Sequence, residues 1–213
     1  MKRKKRGYFI VLEGGEGSGK TSLLKRIANE YGDKIVVSRE PGGSKFAEKI
    51  RELILSQEAK DADAKTMFFL FCAARASHMQ EKIKKALSAG KVLISDRFDA
   101  STYAYQIIGQ EEKELKSIYW DARKLILDKD KYAPNLYVYL DVNPEIGLIR
   151  RDKDKGQQNH FDRRDIKFHQ TLQKGFKEFF ANKNQPVKKL IINAENSQEQ
   201  VFQDLKKVLD KLV

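Results

Sequence analysis

A glycine-rich loop near the start of the chain constrains the fold more than any other feature. Residues 14–21 read Gly14, Gly15, Glu16, Gly17, Ser18, Gly19, Lys20 and Thr21, which matches G-x-x-x-x-G-K-[ST]. An apolar run at 9–12 precedes the loop, and a helix-like segment follows it. In this setting the glycines let backbone N–H groups converge on a phosphate chain, Lys20 reaches its terminal phosphates and Thr21 can hold Mg²⁺. The loop predicts a nucleoside triphosphate site at one edge of a parallel sheet.

Strand-like and helix-like segments alternate along the rest of the chain. We expect strands at 8–13, 34–38, 91–95, 136–141 and 188–193. We expect helices at 20–31, 44–56, 64–89, 99–108, 111–128, 144–151 and 165–181, with a last one beginning at 197. Because the strands are nearly continuous in Val, Ile and Leu, they are typical of a parallel sheet that helices cover on both faces. The pattern predicts a three-layer α/β domain over 8–213, preceded by a basic tail at 1–7.

The composition is strongly basic. The chain of 213 residues has 42 Lys and Arg against 30 Asp and Glu, a net charge of +12. Such a balance suits either nucleic acid or a smaller anion. Its Lys-Lys pairs fit solvated helix faces, and no basic stripe carries interleaved aromatics for base stacking, so we expect no specific nucleic-acid partner. The alternative from a different class of protein is a basic nucleic-acid-binding protein that uses ATP as a switch.

The sequence offers neither a membrane span nor a disulfide pair. No apolar run approaches the ~20 residues that a spanning helix needs, so we expect no membrane partner. Cys72 is the only cysteine. A single cysteine cannot form an internal disulfide, which suits a reducing compartment and predicts a cytoplasmic location.

Asp96 and Arg97 follow the third expected strand directly. Since the carboxyl ends of parallel strands meet at one edge of a sheet, both side chains should face the phosphate loop. Asp96 could then assist Mg²⁺, directly or through water. Arg97 could grip a second phosphate with two hydrogen bonds.

A charge-dense segment with almost no apolar residues covers 152–164. We expect it to be exposed. If it lies near the nucleotide, it would act as a mobile lid over about 151–164 that delivers cations on closure. A plain surface loop is the alternative that the composition leaves open.

Three further motifs, taken with the phosphate loop, resemble one family. They are Arg39-Glu40-Pro41-Gly42-Gly43-Ser44 after the second strand, Phe71-Cys72-Ala73-Ala74-Arg75 in a helix, and the run Asp96-Arg97-Phe98-Asp99-Ala100-Ser101-Thr102-Tyr103-Ala104-Tyr105-Gln106. In order and spacing they resemble thymidylate kinase, of the bacterial kind that carries catalytic arginines in its lid. The resemblance runs from about residue 8 to the end of the chain.

The resemblance implies the fold, the reaction and the partners. The fold would be the P-loop nucleoside monophosphate kinase fold, with a five-stranded parallel sheet and a mobile lid. The reaction would be transfer of the γ-phosphate of ATP to dTMP, giving dTDP for dTTP synthesis, with Mg²⁺ as the cofactor. The enzyme would be a cytoplasmic homodimer packed through helices.

The resemblance also implies a role for each site residue. Phe71 would stack on thymine, Arg75 would donate to thymine O4, and Tyr105 would pack where a ribose 2′-hydroxyl would sit. The complete acceptor site would comprise Arg39, Glu40, Arg51, Phe71, Arg75, Arg97, Ser101, Thr102, Tyr105 and Gln106. Arg150 would join the phosphate loop in binding ATP, and Thr21 and Asp96 would serve the metal. The catalytic residues would be Glu16, which also accepts from the 3′-hydroxyl, together with Lys20, Arg97, Arg163 and Arg164.

The lid departs from the family's usual pattern. Alignment on Phe161 and Asp162 puts His160 at the usual arginine position and Arg164 at an acidic one. Arg163, Arg164 or Arg150 could supply the missing cation, and the spacing does not decide between them.

Two other substrates for the same fold stay open. The chain could phosphorylate a different nucleoside monophosphate. It could also be a deoxynucleoside kinase, in which Glu40 would act as the base toward a 5′-hydroxyl.

Overall fold

A computed structural model describes residues 6–153, 164–183 and 187–213. Its strands are β1 (Phe9–Gly14), β2 (Ile35–Arg39), β3 (Val92–Asp96), β4 (Leu136–Asp141) and β5 (Lys189–Asn193). They form one parallel sheet in the order β2-β3-β1-β4-β5. The expected α/β fold with a five-stranded parallel sheet is therefore confirmed, with each strand within one residue of its expected bounds.

The helices of the described residues occupy the intervals between these strands. They are α1 (Lys20–Tyr31), α2 (Lys45–Ile54), α3 (Ala64–His78), α4 (Lys84–Ser88), α5 (Asp99–Thr102), α6 (Leu115–Ile126), α7 (Pro144–Lys153), α8 (Ile166–Ala181) and α9 (Gln198–Leu209). Two of the expected helices contain π-helical turns, at Met79–Ile83 between α3 and α4 and at Tyr103–Ile108 after α5. Such widened turns re-aim the side chains that follow them.

Helices cover both faces of the central strands, as the three-layer prediction requires, whereas most of the edge strand β5 is exposed. On one face Phe9 and Val11 join a core with residues of α3, α6 and α8. On the other face Ile10 and Leu12 join a core with residues of α1 and α9. Successive side chains of a strand point to opposite faces, so an unbroken apolar strand supplies both cores.

The register of the sheet brings three strand ends together. Asp96 of β3 lies opposite Leu12 of β1 and Arg39 of β2. Beyond the sheet, the Arg97 N–H donates to Leu12 O, and the Glu40 N–H donates to Asp96 O, both at 2.8 Å. The residues that were expected to face the phosphate loop are thus held at its edge by backbone hydrogen bonds.

The ends of the expected tail and lid are partly described. Arg6 and Gly7, which the sequence assigns to the tail, contact the fold: Arg6 Nη2 donates to Ala133 O at 2.9 Å, and the Gly7 N–H donates to Leu87 O at 2.8 Å. Of the expected lid, 151–153 end α7 and 164 precedes α8. The predictions for His160 and Arg163 fall outside the described residues. Within the described ranges, no helix is long and apolar enough to cross a membrane.

Candidate active site

A cleft of about 940 Å³ opens at the carboxyl edge of the sheet. Most residues that the sequence singled out line it: Glu16, Gly17, Ser18, Gly19, Lys20, Thr21, Arg39, Glu40, Arg51, Phe71, Arg75, Asp96, Arg97, Ser101, Thr102, Tyr105, Gln106 and Arg150. They come from six separate stretches of the chain. The fold therefore brings the phosphate loop and the other motifs of the resemblance into one cavity.

The phosphate loop is shaped by glycines in left-handed conformations. Gly17 has φ 65°, and a Cβ there would lie within 1.9 Å of Gly147 O on α7. Gly19 has φ 86° and precedes α1, whose first turn has no side-chain cap. Uncapped N–H groups at a helix start form an anion site, and the dipole of the helix adds to it.

Lys20 is folded back onto the loop. Its Nζ donates to Gly14 O and Gly15 O at 2.9 Å and to Ser18 Oγ at 3.1 Å. Burial, and then the positive charge of Arg97, lower the pKa of Lys20 to about 8. An anion that replaced the carbonyl partners would restore the ammonium's usual preference for its charged form.

Arg97 bridges the phosphate loop and α5. Its Nη1 donates to Gly14 O at 3.1 Å and to Ser101 Oγ at 3.2 Å, and its Nη2 donates to Glu16 Oε1 at 2.5 Å. The Tyr105 hydroxyl donates to the same Glu16 oxygen at 3.0 Å. Burial would raise the pKa of Glu16, but Arg97 and Lys20 lower it to about 2. Glu16 is therefore a carboxylate at neutral pH, able to accept from a sugar hydroxyl.

Arg75 lies at the other end of the cleft and is 4% exposed. Its Nε donates to Glu40 Oε2 at 2.8 Å, and its Nη2 donates to Phe98 O and Thr102 Oγ1 at 2.9 Å. Phe71 lies one helical turn earlier on α3 and lines the same cleft. A flat ring and a fixed donor four residues apart suit the face and the edge of a planar base.

Both carboxylate oxygens of Glu40 are engaged by neighbouring side chains. It is 6% exposed, and its second oxygen, Oε1, lies 3.0 Å from His78 Nδ1. With Arg75 on one oxygen and His78 on the other, Glu40 is poorly placed to take a proton from a 5′-hydroxyl. The geometry disfavours the deoxynucleoside kinase alternative.

Two polar atoms of the cleft are buried without a hydrogen-bond partner within the described part of the chain: Asp96 Oδ1 and Gln106 Nε2. Such atoms are costly in an empty site, so they point to a bound group or water. Asp96 supplies a carboxylate oxygen, and Thr21 supplies an exposed hydroxyl at the start of α1. This donor set fits Mg²⁺, which prefers oxygen ligands.

Glu48 is a site residue that the sequence reasoning missed. It holds Arg39 Nη2 at 2.9 Å with one oxygen and the Gly43 N–H at 2.7 Å with the other. Arg51, one turn further along α2, donates to Pro41 O at 2.8 Å. The i, i+3 spacing of Glu48 and Arg51 on a helix beside the Arg39 motif was the signal available for finding it.

The described candidates for the lid cation differ in position. Arg150 donates to Ala194 O at 2.5 Å and to Glu195 O at 3.1 Å, so it braces the loop between β5 and α9. The Arg164 guanidinium lies 5.5 Å from the centre of the Phe168 ring and is absent from the described lining of the cleft. Arg151 and Lys153, which the sequence reasoning passed over, do line it.

Glu13 is a second residue that was missed. It is fully buried at the end of β1; Oε1 accepts from the N–H groups of Phe98 and Ser101, and Oε2 accepts from Ser101 Oγ at 2.6 Å. Burial raises its pKa to about 7. A carboxylate in an apolar strand was the only signal for it in the sequence. It ties β1 to α5, which carries several of the site residues.

Comparison with known proteins gives a consistent result. A sequence model of the family described as thymidylate kinase matches residues 12–205. A thymidylate kinase of Lactobacillus helveticus is 43% identical over 178 residues, covering 80% of this chain and 81% of that protein. One of Lactobacillus acidophilus is 39% identical and covers 98% of each chain. The crystal structure of thymidylate kinase from Ehrlichia chaffeensis is similar with a TM-score of 0.72 at 28% identity, covering 96% of this chain and 99% of that one.

Proposed function

This chain belongs to the thymidylate kinase family, whose reaction is transfer of the γ-phosphate of ATP to dTMP, and we propose that its cleft divides that reaction between a phosphate end and a base end. The acceptor is a 5′-phosphate with a second pKa of about 6, so it is largely dianionic at neutral pH and needs no general base. The protein must position two anions and stabilise the charge on the group in transfer. Cations and fixed donors, rather than a proton acceptor, are the residues to look for.

The donor would bind at the phosphate end. The N–H groups of the loop and the start of α1 would hold the phosphate chain, and Lys20 would leave Gly14 O and Gly15 O to reach the terminal phosphates. Arg150 would act indirectly, because it braces the loop after β5 that borders the cleft.

The acceptor would bind between the loop and α3. Phe71 would stack on thymine, and Arg75 would donate to O4. Gln106 Nε2, which has no hydrogen-bond partner among the described residues, would find an acceptor on the base or on water. Glu16 would accept from the 3′-hydroxyl beside Tyr105. Ser101 and Thr102 line the pocket; Arg39, Arg51 and Arg97 would surround the monophosphate. The observation that carries this assignment is Arg75, buried, fixed at two nitrogens and lining the same cleft as Lys20.

Mg²⁺ would be held through Thr21 and Asp96. The observation that supports this metal site is the buried Asp96 Oδ1, which lacks a hydrogen-bond partner within the described residues. When bound, the ion would offset negative charge on the phosphates of ATP. The role of this chain is to present two oxygen ligands next to Lys20 and Arg97.

We propose that Arg163 or Arg164 supplies the cation of the lid, as the sequence suggests. Lid closure would bring a cation to the γ-phosphate and exclude water, which suppresses wasteful hydrolysis of ATP. Arg163→Ala and Arg164→Ala, made singly, test this proposal: one of them should lose turnover by on the order of 10³-fold with a modest change in acceptor affinity. Normal turnover in both would move the role to another cation near the cleft.

A homodimer is proposed through α2 and α3, which pack against each other. Phe46 and Leu53 on α2 are 58% and 51% exposed, and Phe69 on α3 is 56% exposed. Large apolar side chains clustered on a surface mark contact sites. Sedimentation of Phe69→Glu should give monomers if this face is the interface.

A cytoplasmic location is proposed as well, since ATP and deoxynucleotides are available there.

The acceptor assignment is tested by ADP release with a panel of monophosphates. We expect dTMP to outperform dCMP and GMP, and Arg75→Leu to erode the preference over dCMP, because cytosine presents an amino group where thymine presents O4. Weak turnover with every monophosphate, together with salt-sensitive binding to DNA, would favour the nucleic-acid alternative instead.

A further inference from the structure

Behind Arg75 lie three buried polar side chains, two of which, Ser38 and His78, have no role in the reaction as described. His78 is the last residue of α3 and is fully buried. Its Nδ1 lies 3.0 Å from Glu40 Oε1, and its Nε2 lies 2.7 Å from Ser38 Oγ on β2. Glu40 Oε2 in turn accepts from Arg75 Nε at 2.8 Å. We call Ser38, His78 and Glu40 the support row.

The support row is sealed from the cleft at its far end. Ser38 and Glu40 are each 6% exposed. Gly43 has φ 83°, and a Cβ there would lie 2.5 Å from His78 Nε2 and 2.7 Å from Ser38 Oγ. Only a glycine can close over the imidazole in this way. His78 is thus out of reach of a substrate, and any effect that it has on the reaction must pass through Glu40.

In the hydrogen bond between His78 and Glu40, the donor and the acceptor can be assigned. A carboxylate only accepts, so the proton between His78 Nδ1 and Glu40 Oε1 belongs to the histidine. With Oε1 held there, the other oxygen is fixed in front of Arg75 Nε. The Glu40 carboxylate is therefore gripped from both sides and has no freedom to rotate.

The grip matters because Glu40 anchors Arg75 at a second nitrogen. Nη2 donates to Phe98 O and Thr102 Oγ1. A guanidinium anchored at Nη2 alone can still tilt as far as its side-chain torsions allow, whereas a further bond at Nε narrows the direction in which the remaining nitrogen, Nη1, points. A displacement of about 1 Å at a recognition group is enough to lose a hydrogen bond.

We propose that His78 is a positioning residue for base recognition: by donating to Glu40, it sets the orientation of Arg75 and thereby the discrimination between a carbonyl and an amino group at position 4 of the base. The proposal rests on the assignment of Arg75 to thymine O4 above. It adds that the choice of base depends on a residue that touches neither the nucleotide nor Arg75.

Two amide substitutions at His78 form a matched test. In His78→Asn the amide nitrogen takes the place of Nδ1 and still donates to Glu40. In His78→Gln it takes the place of Nε2, so the contact with Ser38 is kept and the donation to Glu40 is lost. Both variants keep a polar group in the buried site, which limits the damage to folding.

The readout is the ratio of kcat/KM for dTMP to kcat/KM for dCMP. His78→Gln should lower this ratio about tenfold, the factor for one misaligned hydrogen bond, through KM with kcat within about threefold. His78→Asn should keep the ratio within about threefold of the wild type. The ratio of dTMP to dUMP should not change in either variant, because uracil and thymine share O4.

Two controls separate positioning from loss of stability. Tyr31→Phe removes a hydrogen bond to Asp210 at 2.6 Å on the opposite side of the sheet and should change neither ratio. In an Arg75→Leu background, His78→Gln should have no further effect on the dTMP to dCMP ratio, because the group it positions is gone.

The outcomes distinguish this proposal from the acceptor assignment. If Arg75→Leu lowers the ratio while His78→Gln and His78→Asn behave alike, Arg75 reads the base and the positioning role is overturned. If Arg75→Leu leaves the ratio unchanged, the acceptor assignment itself is wrong, and the proposal falls with it. Should His78→Gln not fold, His78→Met replaces it, because methionine fills a similar volume without a donor to Glu40: a ratio lowered about tenfold supports the proposal, and a ratio within threefold of the wild type overturns it.

Discussion

The two ends of the cleft hold their arginines in different ways. Arg97, at the phosphate end, contacts Gly14 O, Glu16 and Ser101 and has a side chain that is 19% exposed. Arg75, at the base end, has a side chain that is 5% exposed and is bound to Glu40, Phe98 O and Thr102. Arg97 thus faces the open cleft, whereas Arg75 is enclosed.

The difference matches the task of each end. At the phosphate end, Lys20 and Arg97 use loop carbonyls and a carboxylate as partners that an anion can replace. At the base end, the partners of Arg75 are part of the packed fold and stay in place. A charge that must meet a phosphoryl group lies at the open side of the cleft, and a donor that must reject the wrong base is enclosed. Changes at the two ends should therefore affect turnover and base choice separately.

The largest effect should come from Lys20→Ala. Removing the Lys20 ammonium, which would reach the terminal phosphates, should lower kcat by on the order of 10³-fold, while the dTMP to dCMP ratio of the remaining activity stays the same. Lys25→Ala, an exposed lysine on the same helix, is the matched control and should be neutral. Turnover of Lys20→Ala near that of the control would contradict the role of the phosphate loop.

Arg97→Lys should come next. Lysine keeps the charge but cannot make the paired hydrogen bonds of a guanidinium, so we expect kcat/KM for dTMP to fall about 10²-fold. Base choice should again be unaffected, because Arg75 and its partners are intact. A change in the dTMP to dCMP ratio larger than threefold would show that the two ends are coupled and would break the comparison.

The dependence of kcat/KM on pH should show a smaller effect, which comes from Lys20 at the phosphate end. Because the pKa of Lys20 in the free protein is about 8, kcat/KM for ATP should fall about tenfold per pH unit above pH 8. ATP phosphates raise that pKa, so kcat should hold to a higher pH. The fall should be absent in Lys20→Arg, whose side chain stays protonated.

The same lowered pKa fixes the sign of the effect on stability. The pKa of about 8 in the folded protein lies below the ordinary lysine pKa of 10.5, which holds in the unfolded chain. Between these two pH values the unfolded state binds more protons than the folded state. The contribution of Lys20 should therefore increase the free energy of unfolding as pH rises through this window. Urea titrations of wild type and Lys20→Arg at pH 8 and pH 10 would isolate this contribution; equal changes in both proteins would contradict it.

The smallest effect is expected at Tyr105, which lies between the two ends. Tyr105→Ala removes the ring that would crowd a 2′-hydroxyl, so the preference for dTMP over its ribose analogue should narrow by about three- to tenfold. Tyr105→Phe keeps the ring and loses the bond to Glu16, so it should keep that preference. Equal discrimination in Tyr105→Ala and the wild type would place the wall against ribose elsewhere.

The sequence was sufficient for the phosphate end and for the sheet. Residues 14–21 form one contiguous motif, and its strand-before, helix-after setting predicts both its conformation and its place at the sheet edge. The strands were predictable because short apolar runs rich in Val and Ile alternate with longer helical segments, which is typical of a parallel sheet. Phe71, Arg75 and Arg97, which the resemblance to the family singled out, line the cleft, and the roles that it implies for them stay predictions.

The sequence was not sufficient for the support row or for Glu13. His78 carries no local signal: at a helix end it could equally be an exposed residue. The π-helical turns at Met79–Ile83 and Tyr103–Ile108 were also missed, because their hydrogen-bond pattern depends on packing rather than on propensity. The predictions for His160 and Arg163 remain as the sequence left them, outside the described residues.

What the sequence determined by itself is therefore what is local: the loop that binds phosphate, the alternation of strands and helices, and the residue types that chemistry at the strand ends requires. Only the tertiary structure decided how Arg75 is held, because Ser38, Glu40, His78 and Thr102 come from segments up to 64 positions apart and meet through the register of β2, β3 and the end of α3. The physical reason is that a buried donor must be satisfied by whatever the fold brings next to it. Its partners are selected by packing, which no short stretch of sequence records.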